Sequence, residues 1–286
     1  MPDLRFTVSQ AWQNWSARRA LHTYHRTWQQ IIAEFQGNQG ADAFWLTHSA
    51  NYLLRTGGVH WALDPFSLVT RLGQGKQPDF AKDLACLDLV VLSHIHADHF
   101  DPILLSALSS LDLTWVVPEF MVSHLSSLCD LSARRIIIPH PGEPLRFGNL
   151  TLTPFEGLHF HGRHGVPEMG YLAEFGKQRW LFPGDTRTFD HASLPGFGQL
   201  DGLLAHCWLG KKAALFPRAD KLAEFTQFYK AFNPQKMVIS HLYEWGRDAR
   251  DLWTMRHFRL VKNRLQASGY QGAVIPARTG SCIQFD

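Results

Sequence analysis

LDLVVLSHIHADHFD, residues 87–101, runs an apolar segment straight into His94, His96, Asp98 and His99. The aliphatic run before Ser93 reads as a buried strand, and such a strand is a rigid platform for the loop at its end. Side chains alternate along an extended chain, so His94 and His96 are aimed the same way, while Asp98 and His99 on the ensuing turn reach a neighbouring position. One short segment can therefore feed two metal ions. Imidazole and carboxylate donors suit zinc, and also iron or manganese. Three histidines and an aspartate within six positions directly after a strand read as ligands rather than as an incidental polar loop.

Outward from this segment, strand-like and helix-like runs alternate. Upstream, AFWLTHS (43–49), ANYLLRT (50–56) and VHWALDPF (59–66) read as strands. Downstream, DPILLSALSS (101–110) and EFMVSHLSSLC (119–129) read as helices around the strand LTWVVP (113–118), and ARRIIIP (133–139) adds another β-rich run. Two hairpins are expected at Gly148-Asn149 and Gly176-Lys177, where glycine or asparagine tolerates the positive φ of a tight turn. Leu222, Phe225, Tyr229 and Phe232 mark one later amphipathic helix, and Leu252, Met255, Phe258, Val261 and Leu265 another. This mixture predicts an α/β chain of two sheets between helical layers rather than a doubly wound parallel sheet.

Near the start, Leu21, Tyr24, Trp28, Ile31 and Phe35 fall on one helical face, and GNQGAD (37–42) marks a break. We therefore divide the chain into an N-terminal helical extension, 1–41, and a main domain, 42–286. The extension carries Trp12, Trp15, Arg18 and Arg19, which suit either packing on the body or a partner subunit, or a weak interfacial membrane contact. No repeat, low-complexity tract or linker divides the rest.

Composition bounds the function classes. With 286 residues, 45% of them hydrophobic and 19% charged, the chain can bury a sizeable core and is too apolar for disorder. A net charge of +3 is too small for a nucleic-acid-binding field, so a small-molecule substrate, anionic or not, is expected and nucleic acid is not. Cys86, Cys129, Cys207 and Cys282 are scattered without a CxxC pair, which fits reduced thiols. The opening MPDLRFTVSQ lacks a signal-peptide pattern and no apolar run reaches spanning length, so a cytoplasmic chain without a membrane span is expected, and a homo-oligomer stays open. The 16 histidines stand out, because imidazole is the commonest protein metal ligand.

The residues 94–99 resemble the HxHxDH signature of the metallo-β-lactamase superfamily, whose fold is a four-layer αββα sandwich. The remaining motifs of that family can be matched in order. Asp64 in WALDPF resembles an early aspartate that buttresses the metal loop. TPFEGLHFHGRH (153–164) offers His159 as the next ligand, with His161 and His164 as alternatives that would otherwise contact substrate. Asp185 in LFPGDTRT resembles a Gly-Asp-Thr carboxylate that bridges both metals, and His241 in KMVISHLYEW the last ligand. The matches span 64–241, and the fold-level likeness covers 42–286. The resemblance implies two divalent ions, zinc first with manganese and iron(II) as alternatives. His94, His96 and His159 would hold one, Asp98, His99 and His241 the other, with Asp185 shared, and Asp98 and Asp185 would be the catalytic carboxylates of a hydrolase. Superfamily members with a di-iron redox centre tend to carry a carboxylate where this chain has His96, so hydrolysis is favoured.

The nearest branch is similar to L-ascorbate-6-phosphate lactonase and to the N-acyl-phosphatidylethanolamine phospholipase D type, which implies a small phosphorylated, phosphodiester or lactone substrate. Arg163 and Arg187 are placed to grip a phosphate. Arg187, where the branch often has glycine, and His206-Cys207-Trp208 depart from it. His48 and His206, near strand ends, read as satisfied core or rim residues, with a place facing the cleft as the alternative. A metal-dependent nuclease and a non-catalytic metal-binding or sensing protein are the rival readings. No GxSxG elbow supports serine chemistry, and GQGK (73–76) lacks the spacing of a phosphate loop.

Overall fold

The computed structural model describes residues 10–37, 41–129 and 135–285. The first nine residues of the extension, part of the break at 37–42 and the first two residues of the 133–139 run lie outside the described residues. The first half runs α1 (Gln10–Gly37), β1 (Ala43–Leu46), β2 (Tyr52–Thr56), β3 (Val59–Leu63), α2 (Leu68–Leu72), α3 (Phe80–Asp83), β4 (Leu89–Val91), α4 (Pro102–Leu108), β5 (Thr114–Val116), α5 (Glu119–Ser126) and β6 (Arg135–Ile137). The second half runs β7 (Leu145–Phe147), β8 (Leu150–Glu156), β9 (Met169–Phe175), β10 (Gln178–Phe182), β11 (Gly202–His206), α6 (Ala219–Ala231), β12 (Lys236–Ser240), α7 (Met255–Ala267), β13 (Ala273–Pro276) and β14 (Cys282–Gln284).

The strands form two seven-stranded sheets, β14-β1-β2-β3-β4-β5-β6 and β13-β12-β11-β10-β9-β8-β7. Each sheet is antiparallel over four strands and parallel over the rest, with β14 returning to pair with β1 at the edge of the first. The two sheets thus share a topology that no sequence repeat betrays. Both expected hairpins are present as two-residue turns: Phe147 pairs with Leu150 across Gly148-Asn149, and Phe175 with Gln178 across Gly176-Lys177. Gly148 and Gly176 take positive φ, as such turns require.

Strand alternation builds the layers. Phe44, Leu46, Tyr52, Leu54, Trp61 and Val91 meet Tyr171, Trp180, Phe182, Leu204 and Val238 between the sheets. The intervening Trp45, Leu53, Ala62, Val90 and Trp115 face outward onto α1, α4 and α5. On the far side, Leu172, Leu181, Leu203, Met237 and Ile239 pack on Phe225, Phe228 and Tyr229 of α6 and Phe258, Val261 and Leu265 of α7. This is the four-layer αββα sandwich, held by apolar faces of period 2 on the sheets and 3.6 on the helices.

The N-terminal helix is part of the first helical layer: Tyr24, Trp28, Ile31 and Phe35 are buried there, and the Tyr24 hydroxyl donates to Thr47 O (3.0 Å). Trp12 and Trp15 stay exposed, although Trp12 lies 6.2 Å from the Trp245 ring. No helix among the described residues is long and apolar enough to cross a membrane. Leu252, read from sequence as part of the last helix, precedes it, because Thr254 starts α7 with a capping box closed by His257.

Candidate metal centre

Loops at one end of the two sheets supply the site. At the end of β3, Asp64 turns into the left-handed region (φ 46°), and its carboxylate accepts the Ser93 amide (2.7 Å) and hydroxyl (2.5 Å). The same carboxylate stands 2.9 Å from His99 Nδ1. Asp64 therefore fixes the start of the 94–99 loop and one of its rings together. Asn51 fastens the loop from another side, donating to Asp64 O (2.9 Å) and Asp98 O (2.8 Å). Asp101 closes it by capping α4 through the Ile103 and Leu104 amides and accepting the Ser67 amide.

The second sheet brings the other residues. His159 follows β8, and its Nε2 lies 2.8 Å from His96 Nδ1. Gly165 lets the chain fold back here, since a Cβ would stand 1.9 Å from His159 O. Asp185 follows β10 through Gly184 (φ 74°), where a Cβ would meet Glu168 Oε1 at 2.2 Å, so the Gly-Asp pair is a packing requirement as well as a turn. His241 follows β12 with φ 64°, its amide bound to Ser49 O (2.9 Å) and its Nε2 3.2 Å from Asp98 and 3.6 Å from Asp185. Asp64 and His241 both hold a conformation that non-glycine residues seldom adopt, the kind of local strain that accumulates at functional sites.

Two groups of donor atoms result. One atom from each of His94, His96, His159 and Asp185 lies within 4.8 Å of the others, and the same holds for Asp98, His99, Asp185 and His241. Asp185 belongs to both. A third grouping, Asp64 with His94 and His99, reflects the contact of Asp64 with the Nδ1 side of His99. His94 Nε2 and His99 Nε2 are buried without a hydrogen-bond partner, whereas the Nδ1 atoms of the same rings are engaged, His94 by Ser93 Oγ (2.8 Å) and Glu168 (3.0 Å). Rings held by Nδ1 with Nε2 left open inside a protein are arranged as metal ligands are.

The electrostatics agree. Burial pushes His94, His96 and His159 down to about 4, so they are neutral and can donate a lone pair at neutral pH. Asp98 and Asp185 are held well below the usual carboxylate range: burial opposes ionisation, but His241 and His99 outweigh it, joined by Arg247 at Asp98 and His206 at Asp185. His99 is raised well above its ordinary value although burial acts against it, because Asp185, Asp64 and Asp98 surround it. Neutral His94, His96 and His159 beside ionised Asp185 fit one cation, and at the second group the ionised Asp98 and Asp185 fit a cation whose binding would displace the extra proton that they hold on His99.

Several contributors carry no signature in the sequence. Glu168, buried just before β9, accepts the Asp185 amide (2.8 Å) and touches His94, and burial lifts its carboxyl to about 7. His206 Nδ1 is 2.7 Å from Asp185 Oδ1, and its Nε2 is 2.9 Å from the Tyr52 hydroxyl, which in turn meets Ser240 Oγ (2.8 Å). Arg247 bonds Asp98 Oδ2 (2.7 Å) and Glu244, which also binds Arg71 (2.8 Å). His48 is fully buried against Phe66, with neither ring nitrogen bonded.

The centre opens on a cleft of about 440 Å³ lined by His96, Asp98, His159, Asp185 and, farther out, His164, Arg187, Trp208 and Lys211. His161 and His164 face each other across a tight exposed turn through paired backbone hydrogen bonds, and neither belongs to the donor groups. Arg163 is at the exposed tip of that turn and does not line the cleft.

Known proteins place this arrangement. Among proteins with curated descriptions none matches. Similar solved structures include Igni18, a metallo hydrolase from the archaeon Ignicoccus hospitalis, 17% identical with TM-score 0.61 over 86% of this chain and 99% of that one. The metallo-β-lactamase fold protein YhfI from Bacillus subtilis is 19% identical, with TM-score 0.60 over 83% of this chain and 91% of that one. CmlA, a diiron β-hydroxylase from Streptomyces venezuelae, is 16% identical with TM-score 0.61 over 86% of this chain but 54% of its own. At such identities these likenesses show the fold alone. The profile of the family described as "Beta-lactamase superfamily domain" matches residues 63–242, a span from the end of β3 to just beyond His241, and the chain belongs to that family.

Proposed function

We propose that this chain is a hydrolase in which His94, His96 and His159 hold one divalent cation, Asp98, His99 and His241 hold a second, and Asp185 is shared. The observation that carries the reading is the pair of donor groups joined at Asp185, with the buried Nε2 atoms of His94 and His99 making no hydrogen bond. When bound, two such cations would supply a water acidified to about neutrality and a positive field for charge developing on the substrate.

The chain's own residues do the rest. Asp64 and Glu168 hold His99 and His94 by Nδ1, and His206 with Tyr52 holds Asp185, so these three side chains are oriented before a cation binds. Asp98 lines the cleft with one oxygen steadied by Arg247, which places it to accept a proton from the attacking water, weakly so while it also binds a cation. Histidine at position 96, where di-iron redox members of the superfamily tend to have a carboxylate, supports hydrolysis. Zinc suits this donor set first, and manganese or iron(II) next.

The substrate we propose is a small phosphodiester, phosphorylated ester or lactone, in keeping with the resemblance to the lactonase-like and phospholipase D-like branch. We also keep 42–286 as the catalytic domain, with 1–41 a helical extension laid on it. Assaying a panel of phosphodiesters, phosphorylated lactones and acyl esters with zinc, manganese and iron tests the reading. Metal-dependent turnover of one class, lost in His94→Ala, is the expected result. No turnover of any member with any metal, in protein shown to be metal-loaded, overturns it.

A further inference from the structure

Above the candidate metal centre, the cleft is lined by carboxylates, Asp98, Asp185 and Asp251, and by basic side chains of which some have no ion-pair partner. Four basic side chains line it among the described residues, and two of them are committed within the protein. Arg71 bonds Glu244, Ala97 O and Trp245 O, and Arg247 bonds Glu244 and Asp98 while stacking on Trp208, 4.7 Å from the ring centroid. Arg187 and Lys211 differ, because neither makes an ion pair among the described residues. Arg187 is half-buried on the cleft wall with its Nε enclosed by protein, so the terminal Nη groups are the donors an anion in the cleft would meet.

The platform under Arg187 is fixed. Its amide donates to Leu158 O (2.7 Å), and the Thr188 amide donates to the same carbonyl (2.9 Å), which stitches this loop to the one carrying His159. Lys211 approaches from the loop after β11, three residues beyond Trp208. A volume of about 440 Å³ holds roughly fifteen waters, so it exceeds what a lone reacting group beside the cations would fill. Two divalent cations would add further positive charge to that space.

Building on the hydrolase reading, we propose that Arg187 and Lys211 form an oxyanion subsite for a part of the substrate that does not react, so that the substrate carries a phosphate or carboxylate apart from its scissile bond. The guanidinium offers adjacent N–H donors to two oxygens of one anion, and the ammonium adds a point charge. Neutral lactones and neutral esters would leave the subsite empty.

Calorimetric titration of metal-depleted protein with inorganic phosphate and, separately, acetate tests the subsite without calling on hydrolysis. Phosphate or acetate should bind the wild type, and the double variant Arg187→Gln, Lys211→Gln, folded by circular dichroism, should bind it about tenfold more weakly. The tighter probe identifies the anion. Equal binding by wild type and double variant, or no binding by wild type, overturns the subsite. If anion binding behaves as expected while the metal-loaded protein turns over no member of the substrate panel, the hydrolase reading fails and the subsite stands.

Discussion

Replacing Asp64 with asparagine isolates the buttress from the metal ligands, because the change keeps the volume and removes only charge and acceptor capacity. The wild-type carboxylate accepts two bonds from Ser93 and faces His99 Nδ1 at 2.9 Å. An asparagine oxygen can keep one Ser93 bond. Its amide then confronts His99 Nδ1 with a donor, which favours the tautomer whose proton sits on Nε2, the atom needed for a cation. Losing one charge-assisted buried bond costs about 2 kcal/mol of stability. Losing the partner that orients a ligand costs about tenfold to a hundredfold in metal affinity, or about 1.4–2.7 kcal/mol. Zinc titration in competition with a chromophoric chelator should show that loss at one of two sites, the other moving by less than about threefold. Two sites of wild-type affinity in Asp64→Asn would refute the role given to this residue.

Three other outcomes follow from the same geometry. His94→Ala and Asp185→Ala should abolish metal-dependent turnover while keeping wild-type circular dichroism, and activity in both would contradict the ligand assignment. In metal-depleted protein, Glu168 binds a proton in the folded state from about pH 4.5, its ordinary value, up to about 7, where the unfolded chain does not, so stability falls as pH rises through that window. Urea unfolding of Glu168→Gln should lack this loss and gain about 3 kcal/mol on the wild type between pH 5 and pH 8, and parallel pH profiles would count against it. Gly184→Ala forces an L-residue into a left-handed conformation and a Cβ against Glu168, and should cost about 3 kcal/mol in thermal or urea unfolding; a loss under about 0.5 kcal/mol would be inconsistent.

What could be read from the chain beforehand had a local cause. His94, His96, Asp98 and His99 stand within six residues after an aliphatic strand, so strand alternation and one turn suffice to aim them. The hairpins at 148–149 and 176–177 and the amphipathic faces of α1, α6 and α7 are equally local, and the four-layer arrangement follows from burying those faces on both sides of two sheets. His159, Asp185 and His241 each sit at a strand end, but their meeting depends on how β8, β10 and β12 align in the second sheet, and single residues do not encode that. Resemblance supplied it.

Glu168 in GVPEMG, Asn51 in SANYL and the chain from His206 through Tyr52 to Ser240 had no readable signal, because each acts across more than ten residues of sequence on a partner its neighbours do not announce. His206 is the satisfied core residue that its place at a strand end suggests, and the partner that satisfies it is Asp185. Arg163, expected from the sequence to grip phosphate beside the histidines, is at the exposed tip of the turn closed by His161 and His164 and does not line the cleft. Arg187, two residues after Asp185, does line that cleft.

The most direct test of the paired centre is anomalous diffraction at the zinc edge from crystals of zinc-loaded protein. The account predicts two peaks about 3.5–4 Å apart, one against His94, His96 and His159, the other against Asp98, His99 and His241, with Asp185 touching both. Zinc bound only at other residues, or an empty cluster at saturating zinc, would contradict it.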